Sequence, residues 1–231
     1  MEIKRVNKRI RDILVGATYL GEGASKEAFL KDDIVYKVPR GRTILEQSDF
    51  IKELTFPSEM AEVDNFLQEV CDWEESMVWP LGQFAIELII WQKLLVLENE
   101  GIDISMFARI KDFYFTSDGV LVIEQELADR EAPDNETWDK AWDNLKNEID
   151  ALGPTLEERF EIRLRDVREG NCGFTEDGKY KLYDFGISTT TSLDSYGSYS
   201  DCYSYSEYCE DECEDSCEES CESEPSIYSA I

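Results

Sequence analysis

Across 231 residues the chain carries 52 acidic side chains against 23 basic ones and no histidine, for a formal net charge of −29. That charge excludes general binding to nucleic acid or to an anionic membrane, and it requires any charge-driven partner to be basic; the missing histidine excludes every His-based mechanism. Hydrophobic content of 42% with five Trp is enough for one substantial domain or two small lobes.

Residues 2 to 14, EIKRVNKRIRDIL, place Ile3, Val6, Ile10 and Ile13 at near-helical spacing among Lys4, Arg5, Lys8, Arg9 and Arg11. This predicts a short basic helix packed on the body. Ala17 to Leu30 reads as a strand, a turn and a second strand, and Asp33 to Val38 as a third. In the turn Gly21-Glu22-Gly23-Ala24-Ser25 the small residues Gly21, Gly23, Ala24 and Ser25 let backbone N–H groups approach phosphate oxygens. Lys37 follows inside the third strand, among apolar neighbours; taken alone it is a strand lysine with its head in water.

Residues 39 to 80 are broken by Pro39, Gly41, Pro57 and Pro80, with a helix expected around Ser58 to Trp73. Gln83 to Glu98 has helical length and is strongly apolar, with Glu87 embedded in it. Burying that carboxylate unpaired is costly, so it needs a cationic partner. The run Phe84 to Leu97 is interrupted by Glu87, Gln92 and Lys93, so it is not expected to span a membrane. Met106 to Phe115 and Val120 to Leu127, joined by Thr116-Ser117-Asp118-Gly119, predict a hairpin that completes a five-stranded antiparallel sheet. Asp134 to Leu152 then predicts a helix on Trp138, Trp142, Leu145 and Ile149, capped by Asp134 or Asn135 and stopped by Gly153-Pro154.

The stretch from 160 to 186, FEIRLRDVREGNCGFTEDGKYKLYDFG, carries the chemistry. Phe160, Ile162 and Leu164 alternate with charged residues, as in a half-buried strand that delivers Asp166 to its exit. Cys172 to Phe174 and Tyr180 to Tyr183 predict a hairpin centred on Asp177-Gly178. That register places Asn171 opposite Asp184. An amide oxygen beside a carboxylate suits Mg²⁺, which completes its octahedron with waters and phosphates, and Asp166 is expected next to it.

The last part changes character. No Lys or Arg follows Lys181, residues 187 to 231 hold 12 acids, and five of the seven cysteines (Cys202, Cys209, Cys213, Cys217 and Cys221) lie there. Residues 192 to 231 are expected to be a disordered acidic tail, because dense like charge and little aliphatic surface leave nothing to pack. The four cysteines from Cys209 to Cys221 recur every fourth residue, but nine acids from Glu207 to Glu222 oppose compaction, and zinc sites usually pair their ligands differently. The start of the chain has no apolar core of the signal-peptide kind, so reduced thiols and a cytoplasmic setting are expected. Truncation after Thr191 is expected to leave the thermal midpoint unchanged or slightly raised; a large fall would show that the tail packs.

Asp166, Asn171 five residues later, and Asp184-Phe185-Gly186 resemble the catalytic loop and metal-binding triplet of the protein-kinase-like fold, in the order glycine-rich turn, strand lysine, helix glutamate, Asp, Asn, Asp. The resemblance covers about residues 17 to 190. It implies an α+β, two-lobe architecture: an N-lobe over 1–126 with the basic helix and an insertion over 39–80, and a reduced helical C-lobe over 127–191. It implies that the turn from Gly21 to Ser25 covers the phosphates of ATP, that Lys37 contacts them, and that Glu87 orients Lys37, with Glu62 and Glu69 as rivals nearer the lysine in sequence. Glu124, Gln125 and Glu126 resemble the hinge whose backbone binds adenine. Asn171 and Asp184 would hold Mg²⁺, and Asp166 would orient the acceptor hydroxyl. Two departures are Leu164, where a histidine usually opens the catalytic loop, and Lys26, where a third glycine usually stands; Lys26 either adds a phosphate contact or tolerates an open turn.

Only 45 residues follow Gly186, too few for the helices that support protein substrates. The chain is similar in this to small kinase-like proteins of bacteriophages and large DNA viruses, for which the host cytoplasm is the expected location. The implied activity is transfer of the γ-phosphate of ATP to a hydroxyl on a protein or on the chain's own tail. The alternatives are a non-catalytic pseudokinase that engages a basic protein through its tail, and a small-molecule kinase of the aminoglycoside-phosphotransferase kind.

Overall fold

The computed structural model describes residues 3–23, 25–40, 56–63, 65–66, 75–128, 134–185 and 188–189. The chain divides into two units after Ser195, and everything described belongs to the first. The expectations for the tail from 192 to 231, and most of those for 39 to 74, lie outside the described residues.

The architecture is α+β. Strands β1 (Thr18–Glu22), β2 (Lys26–Lys31) and β3 (Ile34–Pro39) run antiparallel, followed later by β4 (Ile110–Phe115) and β5 (Leu121–Glu126), in the spatial order β1-β2-β3-β5-β4. The tight β2–β3 turn uses Asp32 and Asp33, both at positive φ (51° and 59°), as the twist-matched turn of a two-residue hairpin demands. Strand β1 carries a bulge between Tyr19 and Gly21, where Gly21 sits at φ 150°. A side chain there would be strained, so the glycine sets the geometry of the turn that follows.

Helix α2 (Glu75–Asn99) is buried over every residue from Leu81 to Trp91. A helix apolar on all sides belongs in a core, and Phe84, Leu88, Ile89 and Leu94 lie there with Val38, Phe56, Leu121 and Ile123. The helix ends at Gly101 (φ 88°), where the Ile102 N–H returns to the Leu97 carbonyl at 3.0 Å, a glycine-dependent stop. Pro80, read from the sequence as a break, lies inside α2. It falls in the second turn, where the loss is one backbone hydrogen bond, against a long buried run beyond it.

Helix α3 (Asn135–Phe160) starts on Asp134, whose carboxylate accepts the Thr137 N–H at 2.7 Å. Gly153-Pro154 does not stop it. The buried stripe Leu145, Ile149, Leu152, Leu156 continues straight through the proline, and burying these side chains, at about 1.5–3 kcal/mol each, outweighs the one lost N–H bond. The helix ends instead at Glu161, in the left-handed conformation (φ 57°). Phe160 is therefore helical, and the expected strand shrinks to β6 (Arg163–Leu164), paired antiparallel with β9 (Ser188–Thr189).

The N-terminal segment also departs from expectation. Only Ile10–Ile13 is helical, as α1. Before it the chain runs extended along the edge strand β4, with Val6 N–H donating to Phe115 O at 2.8 Å and Phe115 N–H donating to Lys4 O at 2.9 Å. An open sheet edge has backbone groups to satisfy, and that outweighs the helical spacing of four aliphatic residues.

The hairpin β7 (Cys172–Phe174) and β8 (Tyr180–Leu182) pairs Cys172 with Leu182 and Phe174 with Tyr180. This is one residue off the predicted register. The turn is longer than Asp177-Gly178 alone: Gly178 N–H returns to Thr175 O at 2.9 Å, Gly178 takes φ 79°, and Thr175 N–H reaches Lys179 O at 2.8 Å. A three-residue loop with glycine in the left-handed position is the next commonest hairpin. The hairpin joins the strand layer through Leu182, which donates to Met106 O at 2.9 Å and accepts from the Ala108 N–H at 2.8 Å.

Candidate active site

Strand β3 buries Val35, Val38 and the stem of Lys37, and α2 presents Glu87 to it with no solvent exposure at all. Lys37 Nζ donates to Glu87 Oε1 at 2.7 Å and to the Tyr183 carbonyl at 2.6 Å. The strand, the helix and the segment after β8 thus meet on one ammonium. Glu62, a rival partner for Lys37, is committed elsewhere: its carboxylate caps its own 3-10 turn through the N–H groups of Ser58 and Glu59 at 2.7 and 3.2 Å. Glu69 lies outside the described residues.

Asp166 leaves β6 through an irregular loop that returns at the 3-10 turn Glu169–Asn171. Asn171 Nδ2 donates to the Asp166 carbonyl at 2.8 Å and to Asp166 Oδ2 at 2.7 Å, while Arg168 lies 3.0 Å from Asp166 Oδ1. The carboxylate keeps 22% exposure, so it is oriented from two sides yet reachable. The Asn171 carbonyl accepts from Tyr183 N at 2.8 Å and from Asp184 N at 3.4 Å. Asn171 therefore ties the Asp166 loop to the Asp184 segment even though its register partner is Tyr183. Below them Phe185 is buried edge-on against Phe107, ring centroids 5.5 Å apart; Gly186 lies outside the described residues. Cys172, beside this loop, is a poor nucleophile: burial pushes its thiol up to about 12, and its Sγ donates to the Arg168 carbonyl at 3.3 Å.

Lys26 is the residue whose role the sequence does not disclose. It opens β2 directly after the glycine-rich turn, and its Nζ lies 2.8 Å from Asp184 Oδ1 and 2.5 Å from Glu87 Oε2. Burial alone would lower its pKa, but attraction to Glu87 and then Asp184 wins and holds it above the ordinary lysine value. Glu87 is thus shared by two lysines, one on each oxygen. No family model and no curated protein matches the sequence.

The turn before Lys26 is partly closed on itself, with Gly23 N–H donating to Lys26 O at 2.8 Å. Arg40 pairs with Glu22 at 3.2 Å and reaches the Gly23 carbonyl at 3.3 Å; Ser25 accepts the Arg40 N–H, and Ala24 lies outside the described residues. The expected hinge residues do not form an open backbone edge. Tyr36 pairs with Glu124, Val35 with Gln125 and Ile34 with Glu126, and β4 lies on the other side of β5. Their side chains are committed as well: Glu124 accepts from the Tyr114 hydroxyl at 2.6 Å, Gln125 Nε2 donates to Ala108 O at 3.1 Å, and Glu126 meets Lys181 at 2.7 Å. Strand pairing continues to Glu126, so the first backbone outside the ladder is at Leu127 and Ala128. A separate cavity of about 440 Å³, lined by Trp91, Arg109, Lys111 and Lys181, includes none of the Lys37, Asp166 or Asp184 groups.

Among the described residues no cluster of three or more His, Cys, Asp or Glu is placed to hold a metal. Asn171 and Asp184 are the two oxygen ligands expected for Mg²⁺, but Asp184 already neutralises an ammonium. A divalent ion on the same carboxylate would stand about 4 Å from that ammonium, a repulsion on the order of 8 kcal/mol at an effective dielectric near 20. In this arrangement Asp184 does not serve both cations. No described helix is long and apolar enough to cross a membrane.

Proposed function

We propose that this chain is a phosphotransferase of the protein-kinase-like kind that binds ATP and passes its γ-phosphate to a hydroxyl. The supporting observation is the convergence on one ammonium: Lys37, from the middle of a sheet, is held by a fully buried Glu87 and by the carbonyl next to Asp184. A buried lysine fixed in this way is poor material for stability, since a buried ion pair is often replaceable by apolar side chains at no loss. It is good material for a phosphate site, where a positioned positive charge is needed. In this reading Glu87 orients Lys37, Lys37 contacts the phosphates, and Asp166, held by Asn171 and Arg168, receives the acceptor hydroxyl in a fixed direction.

The second reading, a nucleotide-binding interaction module without transfer activity, is favoured by one observation, the Lys26 ammonium on Asp184. In that reading the acidic tail engages a basic protein.

Thermal unfolding with and without ATP tests the nucleotide site. A ligand at 100 times its dissociation constant adds about 2.7 kcal/mol, which is a rise of roughly 5–10 °C for a protein of this size. The Lys37→Met variant is expected to show less than a third of that rise. Equal shifts in both proteins, or none in either, remove the assignment.

A further inference from the structure

Lys26, Lys37, Glu87 and Asp184 form a group of two ammoniums and two carboxylates that is formally neutral with no other ion present. Glu87 spans the two lysines, and Asp184 meets Lys26 at 2.8 Å. The group is graded in depth. The Glu87, Lys37 and Lys26 side chains are 0%, 6% and 8% exposed, whereas that of Asp184 is 37% exposed, so the outermost contact of the cluster is the one between Lys26 and Asp184.

A metal in a nucleotide site does two electrostatic jobs. It is held by a carboxylate of the protein, and it gives positive charge to the phosphate oxygens. Lys26 already meets the first condition through Asp184. It is also placed for the second, because it shares Glu87 with Lys37 and follows the turn expected over the phosphates. A lysine head is a compact point charge on a flexible four-carbon stem, so it can exchange a carboxylate oxygen for a phosphate oxygen without movement of the strand that carries it. An Asp184 so neutralised has little to offer a divalent ion, for the reason given by their mutual repulsion.

Resting on the nucleotide reading above, we propose that Lys26 is a built-in cation standing in the metal's place: a nucleoside triphosphate binds through Lys26 and Lys37 without a divalent ion, and Mg²⁺ competes with Lys26 for Asp184. The protein is then a nucleotide binder whose affinity is nearly independent of metal, and removal of Lys26 creates a metal requirement.

The test is calorimetric titration of the full chain with adenylyl imidodiphosphate, once in excess EDTA and once in millimolar Mg²⁺. For the wild type the two dissociation constants are expected to agree within about three-fold. For Lys26→Met the EDTA affinity is expected to fall and the Mg²⁺ affinity to recover, so that the ratio between the two conditions is at least ten times the wild-type ratio. A wild type that binds only with Mg²⁺, or a variant with the same metal ratio as wild type, overturns the proposal while leaving the nucleotide site standing. No binding by the wild type in either condition overturns both. Asp184→Asn keeps the protein testable where Lys26→Met does not fold. With the competing carboxylate charge gone and Lys26 released to the phosphates, it is expected to bind the analogue at least three-fold more tightly in EDTA than wild type does. Unchanged or weaker binding there contradicts the role given to Lys26.

Discussion

Replacing Glu87 with alanine is expected to lower the unfolding free energy by about 3–5 kcal/mol, the cost of removing one partner from a buried ion pair. The site is an extreme one, since the carboxylate is entirely buried and both of its oxygens face lysines, at 2.5 and 2.7 Å. Without it Lys37 keeps the Tyr183 carbonyl and Lys26 keeps Asp184 and the Phe84 ring face, and two like charges share a largely buried pocket. The control is Glu98→Ala. Glu98 also accepts from a cation, with both Arg109 nitrogens at 2.9 Å, but that pair is exposed, and exposed pairs are worth about 0–1 kcal/mol. Equilibrium urea denaturation of the two variants reads the contrast directly. A Glu87→Ala loss of under 1 kcal/mol would mean that the cluster is open to water in solution, and it would remove the burial argument for Lys37.

What sequence reasoning reached, and what it missed, follows the range of the forces involved. Glu87 could be marked on paper as needing a cation, because a carboxylate inside an apolar helix is costly to bury unpaired, and the kinase-like resemblance pointed to Lys37 as that cation. The β1–β2, β2–β3 and β4–β5 hairpins could be read because each is local, whereas the pairing of β3 with β5, about 90 residues apart in the chain, could not. Lys26 could not be assigned, because its two partners are 61 and 158 residues away, and nothing about a lysine after a glycine-rich turn tells which acids the fold will bring to it. The Pro154 error is of another kind. Gly153-Pro154 is a local stop signal, but the amphipathic stripe runs on to Leu156 and its tertiary burial overrides the signal. At the N-terminus the spacing of Ile3, Val6, Ile10 and Ile13 suits a helix, but the unpaired edge of β4 captured the first half as extended chain. The β7–β8 register differs by one residue from that of a two-residue Asp177-Gly178 turn, because Gly178 closes a three-residue one. The Asn171 carbonyl still reaches both Tyr183 and Asp184, so the slip moved the pairing without separating the residues.

Asp166→Asn is expected to cut phosphate incorporation from γ-labelled ATP by at least 100-fold, in line with the 10²–10⁴ contributed by a positioned acid or base, while the thermal shift with ATP stays within a third of the wild-type value. The carboxylate contacts Asn171 through Oδ2 and Arg168 through Oδ1, so it presents acceptor lone pairs in a fixed direction. An amide in its place sets an N–H₂ against one of two donors, Asn171 or Arg168, and cannot take a proton from an alcohol. The acceptors to test first are the chain's own hydroxyls. Thr189 is held in β9 opposite Arg163, whereas Thr190, Ser192, Tyr196 and Ser198 follow it in the chain. A disordered tail of the kind expected from the composition of residues 192 to 231 would have a root-mean-square reach near 20 Å over about 12 residues, which would keep such hydroxyls at high effective concentration. Mass spectrometry of the intact chain after incubation with ATP therefore reads the reaction with no external substrate. Incorporation that survives Asp166→Asn unchanged would take the acceptor-orienting role from Asp166. If the wild type gains no phosphate, and added peptides, sugars and aminoglycosides stay unmodified with and without Mg²⁺, the transfer reading is lost. Lys26 on Asp184 is then the mark of a site that holds a nucleotide without using it.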